Sequence, residues 1–322
     1  MSDFSSNITK LQSTISELDN FVVITHQFPD GDAVGASLAF SEYLKNIGKK
    51  VSCITVSEIP QILSYLAGSQ DFLHDIAGLK YDSIILLDCG DLKRTGFLEQ
   101  LLAMKNKLPI INIDHHIQND IWKLAKINLA DPVASSTCQI IYQIFKEWEV
   151  KISPEQATAL LTGIYYDTGG FLHTNTSNEV LEITSDLLRR GAKLKQVKKS
   201  VSQSRSTAML KLWGLALDKM VVDKNLGIVI SIITQEDLKK VEANEEELSG
   251  LVNMIDTAQE ARAAVLLYET ADGKIKGSLR TEDNTVDVAK LASLFGGGGH
   301  KKAAGFLING KFEKVGNGWK VV

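Results

Sequence analysis

Along the first half of the chain, short unbroken apolar runs alternate with stretches in which apolar residues recur every three or four positions. The runs FVVIT (21–25), VSCITV (51–56), SIILLD (83–88) and PIINID (109–114) have the length of strands, and three of them lead into a polar loop at a histidine or an aspartate. AVGASLAFSEYLKNI (33–47, closed by Gly48), SSTCQIIYQIFKEW (135–148) and PEQATALLTGIYY (154–166) carry helical spacing. Pro154 stands near the start of the last, where a missing N–H is tolerated. Strands alternating with helices predict a parallel sheet covered on both faces. In such a sheet ligands bind beyond the carboxyl ends of the strands. His26, Asp88 and the 114–116 triplet all fall at that edge.

The rhythm changes between 189 and 222. Arg189, Arg190, Lys193, Lys195, Lys198, Lys199 and Arg205 form a basic stretch, followed by a helical run around Leu210–Met220. This reads as a helical linker whose charges form either a solvated face or a phosphate-attracting rim. Beyond it, LGIVISII (226–233), AAVLLYE (263–269), KIKGSLR (274–280) and AGFLI (304–308) read as strands, with helices near 246–259 and 286–295. The expected fold class is therefore α/β: a parallel-sheet domain over 1–188, a linker over 189–222 and a smaller α/β domain over 223–322. The active site is expected in the cleft between the two domains.

Length and composition fit that division. A chain of 322 residues exceeds one core of common size, and 44% hydrophobic with 23% charged residues is ordinary for a globular protein. No apolar run approaches the ~20 residues needed to span a bilayer, so no membrane association is expected. MSDFSSNITKLQ lacks the layout of a secretory signal; a cytoplasmic protein is expected. Cys53, Cys89 and Cys138 are scattered, which excludes a disulfide framework and leaves packing as their role. The net charge of −4 argues against a grip on long duplex nucleic acid, which needs a broad basic surface. A short nucleotide held by local cations fits better.

Four segments carry candidate chemistry. H-Q-F-P-D-G-D (26–32) places one imidazole and two carboxylates at a strand mouth, although Asp, Gly and Pro also favour plain turns. L-L-D-C-G-D (86–91) ends a strand on Asp88, and I-D-H-H (113–116) brings two histidines after an aspartate. Asp167 follows in Y-Y-D-T-G-G, at a helix end. Nitrogen and carboxylate donors without thiolate suit Mn²⁺, and Mg²⁺ or Co²⁺ less well. Six such ligands (His26, Asp30, Asp32, Asp88, His115 and Asp167) exceed the needs of one open ion. Two divalent metal ions ~3.5–4 Å apart and sharing a carboxylate would use them all. In the second domain, Gly296, Gly297, Gly298 and Gly299 form a loop whose backbone N–H groups can approach an anion, with His300, Lys301 and Lys302 adding cationic donors.

Together, H-x-x-x-D-x-D, the strand-end aspartate, D-H-H and the later aspartate resemble the DHH phosphoesterase superfamily. G-G-G-G-H-K-K-A-A-G-F (296–306) is similar to the glycine-rich motif of the DHH-associated C-terminal domain. Length and the absence of further domains look most like the NrnA-type group of oligoribonucleases (nanoRNases) and 3′-phosphoadenosine 5′-phosphate (pAp) phosphatases. The resemblance implies that His26, Asp30 and Asp88 hold one metal, and that Asp32, Asp88, His115 and Asp167 hold the other, with Asp88 bridging. Catalytic roles fall to Asp88, to His116 facing the substrate phosphate, and to Asp114 orienting a histidine. Arg280 resembles the family's phosphate-binding arginine, grouped with Gly296–Gly299 and His300 as substrate-binding residues. One departure is that many relatives carry an arginine soon after the Asp167 position, where this chain has T-G-G-F-L-H and His173. The implied reaction is hydrolysis of short oligonucleotides or pAp by attack of a hydroxide held between the two metals. Alternatives are cyclic di-AMP or pApA as substrate and, in a different class, a non-catalytic nucleotide-binding module. A homodimer remains open.

Overall fold

The computed structural model describes residues 2–116, 120–202, 206–259, 261–316 and 318–322. Arg205 of the basic stretch lies outside them. The chain divides into two compact units, Met1–Ser204 and Arg205–Val322.

The first unit runs α1 (Ser2–Glu17), β1 (Asn20–Ile24), α2 (Gly31–Asn46), β2 (Lys50–Ile54), β3 (Ser83–Leu87), α3 (Leu98–Met104), β4 (Ile110–Asp114) and β5 (Ile127–Ala130). It continues with α4 (Thr137–Glu147), α5 (Pro154–Asp167), α6 (Asn178–Arg189) and α7 (Leu194–Ser202). Its five strands form a wholly parallel sheet in the order β2-β1-β3-β4-β5. β3 and β4 are buried at every position, which is why their sequences are unbroken apolar runs rather than alternating ones. Phe21, Val23, Ile85 and Leu87 face a core shared with α2, α4 and α5. Val22, Ile24, Ile84 and Leu86 face a second core with Leu101 and Ile121. Helix starts are capped as their sequences dictate: Ser136 accepts from Gln139 N, and Ser153 forms a capping box with Gln156 ahead of Pro154. Helices α1 and α6, not anticipated from the pattern, bury Ile8, Leu11 and Ile15, and Val180, Ile183 and Leu187 respectively.

Helices α2 and α5 pack antiparallel along a seam of small residues. A Cβ on Gly35 would stand 2.4 Å from the Ala159 carbonyl oxygen, and one on Gly163 would stand 2.3 Å from Asp32 Oδ1. Glycine at these two positions brings the start of α2 against the end of α5.

The second unit runs α8 (Thr207–Asp218), β6 (Val221–Asp223), β7 (Ile228–Ile233), α9 (Gln235–Lys240), α10 (Leu251–Ile255), β8 (Ala263–Glu269), β9 (Lys274–Arg280) and α11 (Val288–Ser293). It ends with β10 (Gly298–His300), β11 (Ala303–Asn309) and a β12 (Phe312–Val315)–β13 (Gly318–Val321) hairpin. Its mixed sheet has the order β10-β11-β9-β8-β7-β6, with only β7 and β8 parallel. The helix expected over 246–259 is interrupted at Gly250, whose φ of +80° cannot continue a right-handed helix.

Residues 189–222 do not stand apart as a linker. Val197 of α7 joins the core of the first unit, whereas Leu212, Trp213 and Ala216 of α8 join that of the second. Each helix presents its apolar face to its own unit, so the stretch is divided between them. Arg189 and Arg190 both pair with Asp186 on α6 (3.5 and 2.5 Å).

Candidate metal centre

Parallel pairing of β1, β3 and β4 aligns their carboxyl ends, since Ile24 pairs with Leu86 and Leu87 with Ile113. His26 follows β1, Asp88 follows β3, and Asp114 closes β4 ahead of His115 and His116. Asp88 leaves its strand in the left-handed region (φ +57°), a conformation that aspartate visits more readily than most residues. Asp30 caps α2 by accepting from the Asp32 and Ala33 N–H groups. The α2–α5 seam sets Asp32 beside the end of α5, where Asp167 is the last helical residue.

The six expected ligands converge. Asp88 turns Oδ2 toward His26 Nε2 (3.8 Å) and Oδ1 toward His115 Nε2 (3.5 Å). His26 Nε2 also lies 3.9 Å from Asp30 Oδ1, and His115 Nε2 lies 3.3 Å from Asp167 Oδ2. Their donor atoms fall into two compact groups, His26, Asp30 and Asp88, and Asp32, His115 and Asp167, while Asp88 and His115 form a third with His116, a residue outside the expected six. His116 is held from behind, its Nδ1 2.7 Å from Asp114 Oδ1, while Asp114 also accepts from the His116 and Gly90 N–H groups.

A single buried atom tests whether these donors suit a cation. His26 Nδ1 lies 2.8 Å from the Gln27 carbonyl oxygen, so it carries the proton and donates it there. Its Nε2 is then a bare lone pair facing two carboxylates, buried and without a hydrogen-bond partner. Acceptors facing acceptors in a buried site are what a divalent cation would satisfy. The charges agree. Burial pushes the Asp88 carboxyl well above its ordinary range, and Asp32, Asp30, Asp114 and Asp167 add to the effect. Burial, then the Asp32 and Asp30 charges, raise Asp167 to about 10. Burial also raises Asp32 and lowers His26, which keeps that imidazole neutral. Asp114 runs the other way: burial raises it, but the hydrogen bond and charge of His116 outweigh this and leave it below its ordinary value.

Three contacts were not legible as site features. Arg94 NH1 lies 3.3 Å from His116 Nε2, passing over Gly90, where a Cβ would stand 2.5 Å from the same nitrogen. Thr137 Oγ1 donates to Asp88 Oδ1 (3.1 Å). The first N–H groups of α4, on Thr137 and Cys138, donate to Asp32 (2.6 and 2.9 Å), a use of a helix N-terminus that the S-S-T-C run at 135–138 could have signalled. His173 folds back so that its Nδ1 lies 3.1 Å from the Asp167 carbonyl oxygen.

In the second unit the glycine loop differs from the open anion cradle expected of it. The Gly296 and Gly297 N–H groups donate to the Ser293 and Ala292 carbonyls, closing the end of α11, so they are not free to meet a ligand. Gly298, Gly299 and His300 form edge strand β10 against β11, and Gly299 is required because a Cβ there would stand 2.5 Å from the Ala303 carbonyl oxygen. Lys301 Nζ donates to the Asn284 carbonyl (2.7 Å) and Lys302 Nζ to that of Glu282, which anchors each ammonium by one of its three N–H donors. His300 is exposed. Arg280 closes β9, with Nε on Asn253 Oδ1 (2.9 Å) and NH1 on the Leu279 carbonyl (2.9 Å).

A parallel sheet gathering imidazoles and carboxylates at its carboxyl edge offers a donor set that suits divalent cations. The chain belongs to the DHH family: the DHH family N-terminal domain matches residues 20–164 and the DHHA1 domain matches residues 225–316. Among relatives, the bifunctional oligoribonuclease and PAP phosphatase NrnA of Thermus thermophilus is 29% identical over 89% of this chain and 84% of its own. The protein of the same description from Bacillus subtilis is 26% identical over 93% of each chain. The crystal structure of an exopolyphosphatase-related protein from Bacteroides fragilis superposes with a TM-score of 0.81 at 28% identity, covering 94% of this chain and 91% of that one. Among the described residues no helix is long and apolar enough to cross a membrane.

Proposed function

We propose that this chain hydrolyses short oligoribonucleotides and pAp with two divalent cations, Mn²⁺ being the best match to a donor set of imidazole nitrogens and carboxylates without thiolate. The observation that carries the proposal is the buried, unpartnered His26 Nε2 facing Asp30 and Asp88. In this reading His26, Asp30 and Asp88 hold one ion and Asp32, Asp88, His115 and Asp167 the other. Bound there, the cations would activate water at neutral pH and neutralise charge on the phosphoryl oxygens.

The chain's own groups do the rest. Asp88 turns one oxygen to each side, and Thr137 Oγ1 fixes its rotamer. Asp114 holds His116 by Nδ1, which leaves Nε2 directed outward beside Arg94, so an imidazole and a guanidinium stand together where a phosphoryl oxygen would accumulate charge. Arg280, Gly298, Gly299 and His300 are the second unit's candidates for substrate contact. Three buried free cysteines support a reducing compartment, the cytoplasm.

The test is phosphate release from pAp and shortening of 2- to 5-mer RNA with Mn²⁺, with pApA and cyclic di-AMP in the same panel. Asp88→Ala is expected to abolish turnover on every substrate. Retained turnover in that variant with Mn²⁺ would refute the bridging role.

A further inference from the structure

Phe28 lies between two of the proposed ligands, His26 and Asp30, and its side chain is 79% exposed. Its backbone sits at φ +56°, in the left-handed region. An aromatic residue there is strained, and an exposed ring gains no packing to offset the strain. The loop itself is not loose. Gln27 N donates to the Arg94 carbonyl (2.7 Å), Thr55 Oγ1 donates to the His26 carbonyl (3.0 Å), and Asp30 caps α2. A firmly held loop thus presents a bare ring to solvent within ~7 Å of backbone from a ligand on either side.

Two of the other three extreme exposures follow the same pattern. Among the described residues, the remaining large apolar side chains more than three-quarters exposed are Val133, Leu172 and Leu294. Val133 lies in the loop between β5 and the α4 start that grips Asp32, Leu172 follows Asp167 and its two glycines, and Leu294 precedes the glycine-rich segment. Two of these three, Val133 and Leu172, thus stand on the segments that carry the first unit's cluster, and Leu294 belongs to the second unit.

We propose that Phe28 is the platform on which a nucleobase of the substrate stacks while the adjoining phosphate lies at the His26–Asp88 cluster. The assignment rests on the hydrolase reading above and narrows its substrates to those bearing a base, purines ahead of pyrimidines because they cover more of the ring. Every base has a π-face, so stacking gives affinity without sequence readout, as a degrader of short oligomers requires.

The experiment uses the full Mn²⁺-loaded chain and two substrates with the same phosphates, pAp and ribose 3′,5′-bisphosphate, which lacks the base. Phe28→Ala is expected to raise KM for pAp by about 5- to 150-fold, the ratio given by ~1–3 kcal/mol of stacking. kcat should stay within about twofold, and kinetics on the base-free substrate should not change. Phe28→Trp should restore KM. Equal effects of Phe28→Ala on both substrates, or none on either, overturn the proposal. If the parent chain releases no phosphate from pAp, the hydrolase reading fails separately, and calorimetric binding of pAp then decides: weaker binding to Phe28→Ala upholds the platform, and unchanged or absent binding removes it.

Discussion

Asp167→Asn removes a charge and almost no volume, so it separates the repulsion within the cluster from the affinity of the cluster for cations. In the folded chain burial, followed by the charges of Asp32 and Asp30, lifts the Asp167 carboxyl from 3.8 to about 10. Folding without metal therefore draws a proton onto Asp167 at neutral pH, at ~1.4 kcal/mol for each pH unit above the unfolded value. That is about 4 kcal/mol at pH 7 and about 2 kcal/mol at pH 5. A carboxyl raised in this way leaves stability intact below the unfolded value and erodes it steadily as pH climbs toward the folded one. Asparagine does not titrate and escapes the erosion. It weakens the 3.3 Å contact with His115 Nε2, a loss of ~1 kcal/mol. The metal-free variant is expected to exceed the parent by about 3 kcal/mol at pH 7 and by about 1 kcal/mol at pH 5.

Urea unfolding in EDTA at the two pH values reads this difference. Mn²⁺ at a hundredfold excess over Kd should then stabilise the parent by ~2.7 kcal/mol and the variant far less. Metal thus cancels most of the variant's advantage at pH 7 and reverses the order at pH 5, which an ordinary structural ion pair would not produce. A variant less stable than the parent in EDTA at pH 7, or a gap that fails to widen between pH 5 and pH 7, would refute the reasoning.

Two further outcomes follow from the same geometry. Gly163→Ala drives a Cβ to within 2.3 Å of Asp32 Oδ1 and 2.4 Å of Cys138 Sγ, so it should lose ~1–3 kcal/mol and most of the Mn²⁺-induced rise in Tm; a thermal scan with and without Mn²⁺ checks both, and an unchanged scan would mean the α2–α5 seam has slack. Phe28→Asn should stabilise the chain by ~1 kcal/mol, because asparagine tolerates positive φ, and should weaken pAp binding; a lower Tm would show that the ring packs rather than waits for a ligand.

The parallel sheet was legible because β3 and β4 are buried on both faces, and that burial writes itself as IIL and IIN runs that no helix or surface strand requires. The clustering of imidazoles and carboxylates was legible because each is a titratable side chain at or near a strand or helix end, where the fold rather than the local sequence brings them together. Arg94 was not, since K-R-T six residues beyond Asp88 reads as solvated surface, and only the tertiary approach of His116 gives it meaning. The glycine loop was partly misread for a related reason. Composition reveals freedom of the backbone, but not that the Gly296 and Gly297 N–H groups already close a helix. Helix α1 escaped because its three core residues sit among serines and threonines that favour caps and turns.

Affinity for cations and the α2–α5 seam are two sides of one arrangement. The Asp32 and Asp167 charges raise the Asp88 carboxyl, and Asp32 raises Asp167, only because these groups are buried and close, and Asp32 is close to the end of α5 because Gly35 and Gly163 let two helices meet at backbone distance. A looser seam would relieve the repulsion and stabilise the metal-free chain, yet the same relaxation would spread the donors beyond the reach of one ion. The strain at Asp88 (φ +57°) has the same logic, since it turns a single carboxylate toward both histidines. Selection for stability alone would remove both features. Their coexistence with two well-filled cores beside the sheet is what a site built to be completed by metal requires: enough packing elsewhere to hold like charges together until a cation arrives.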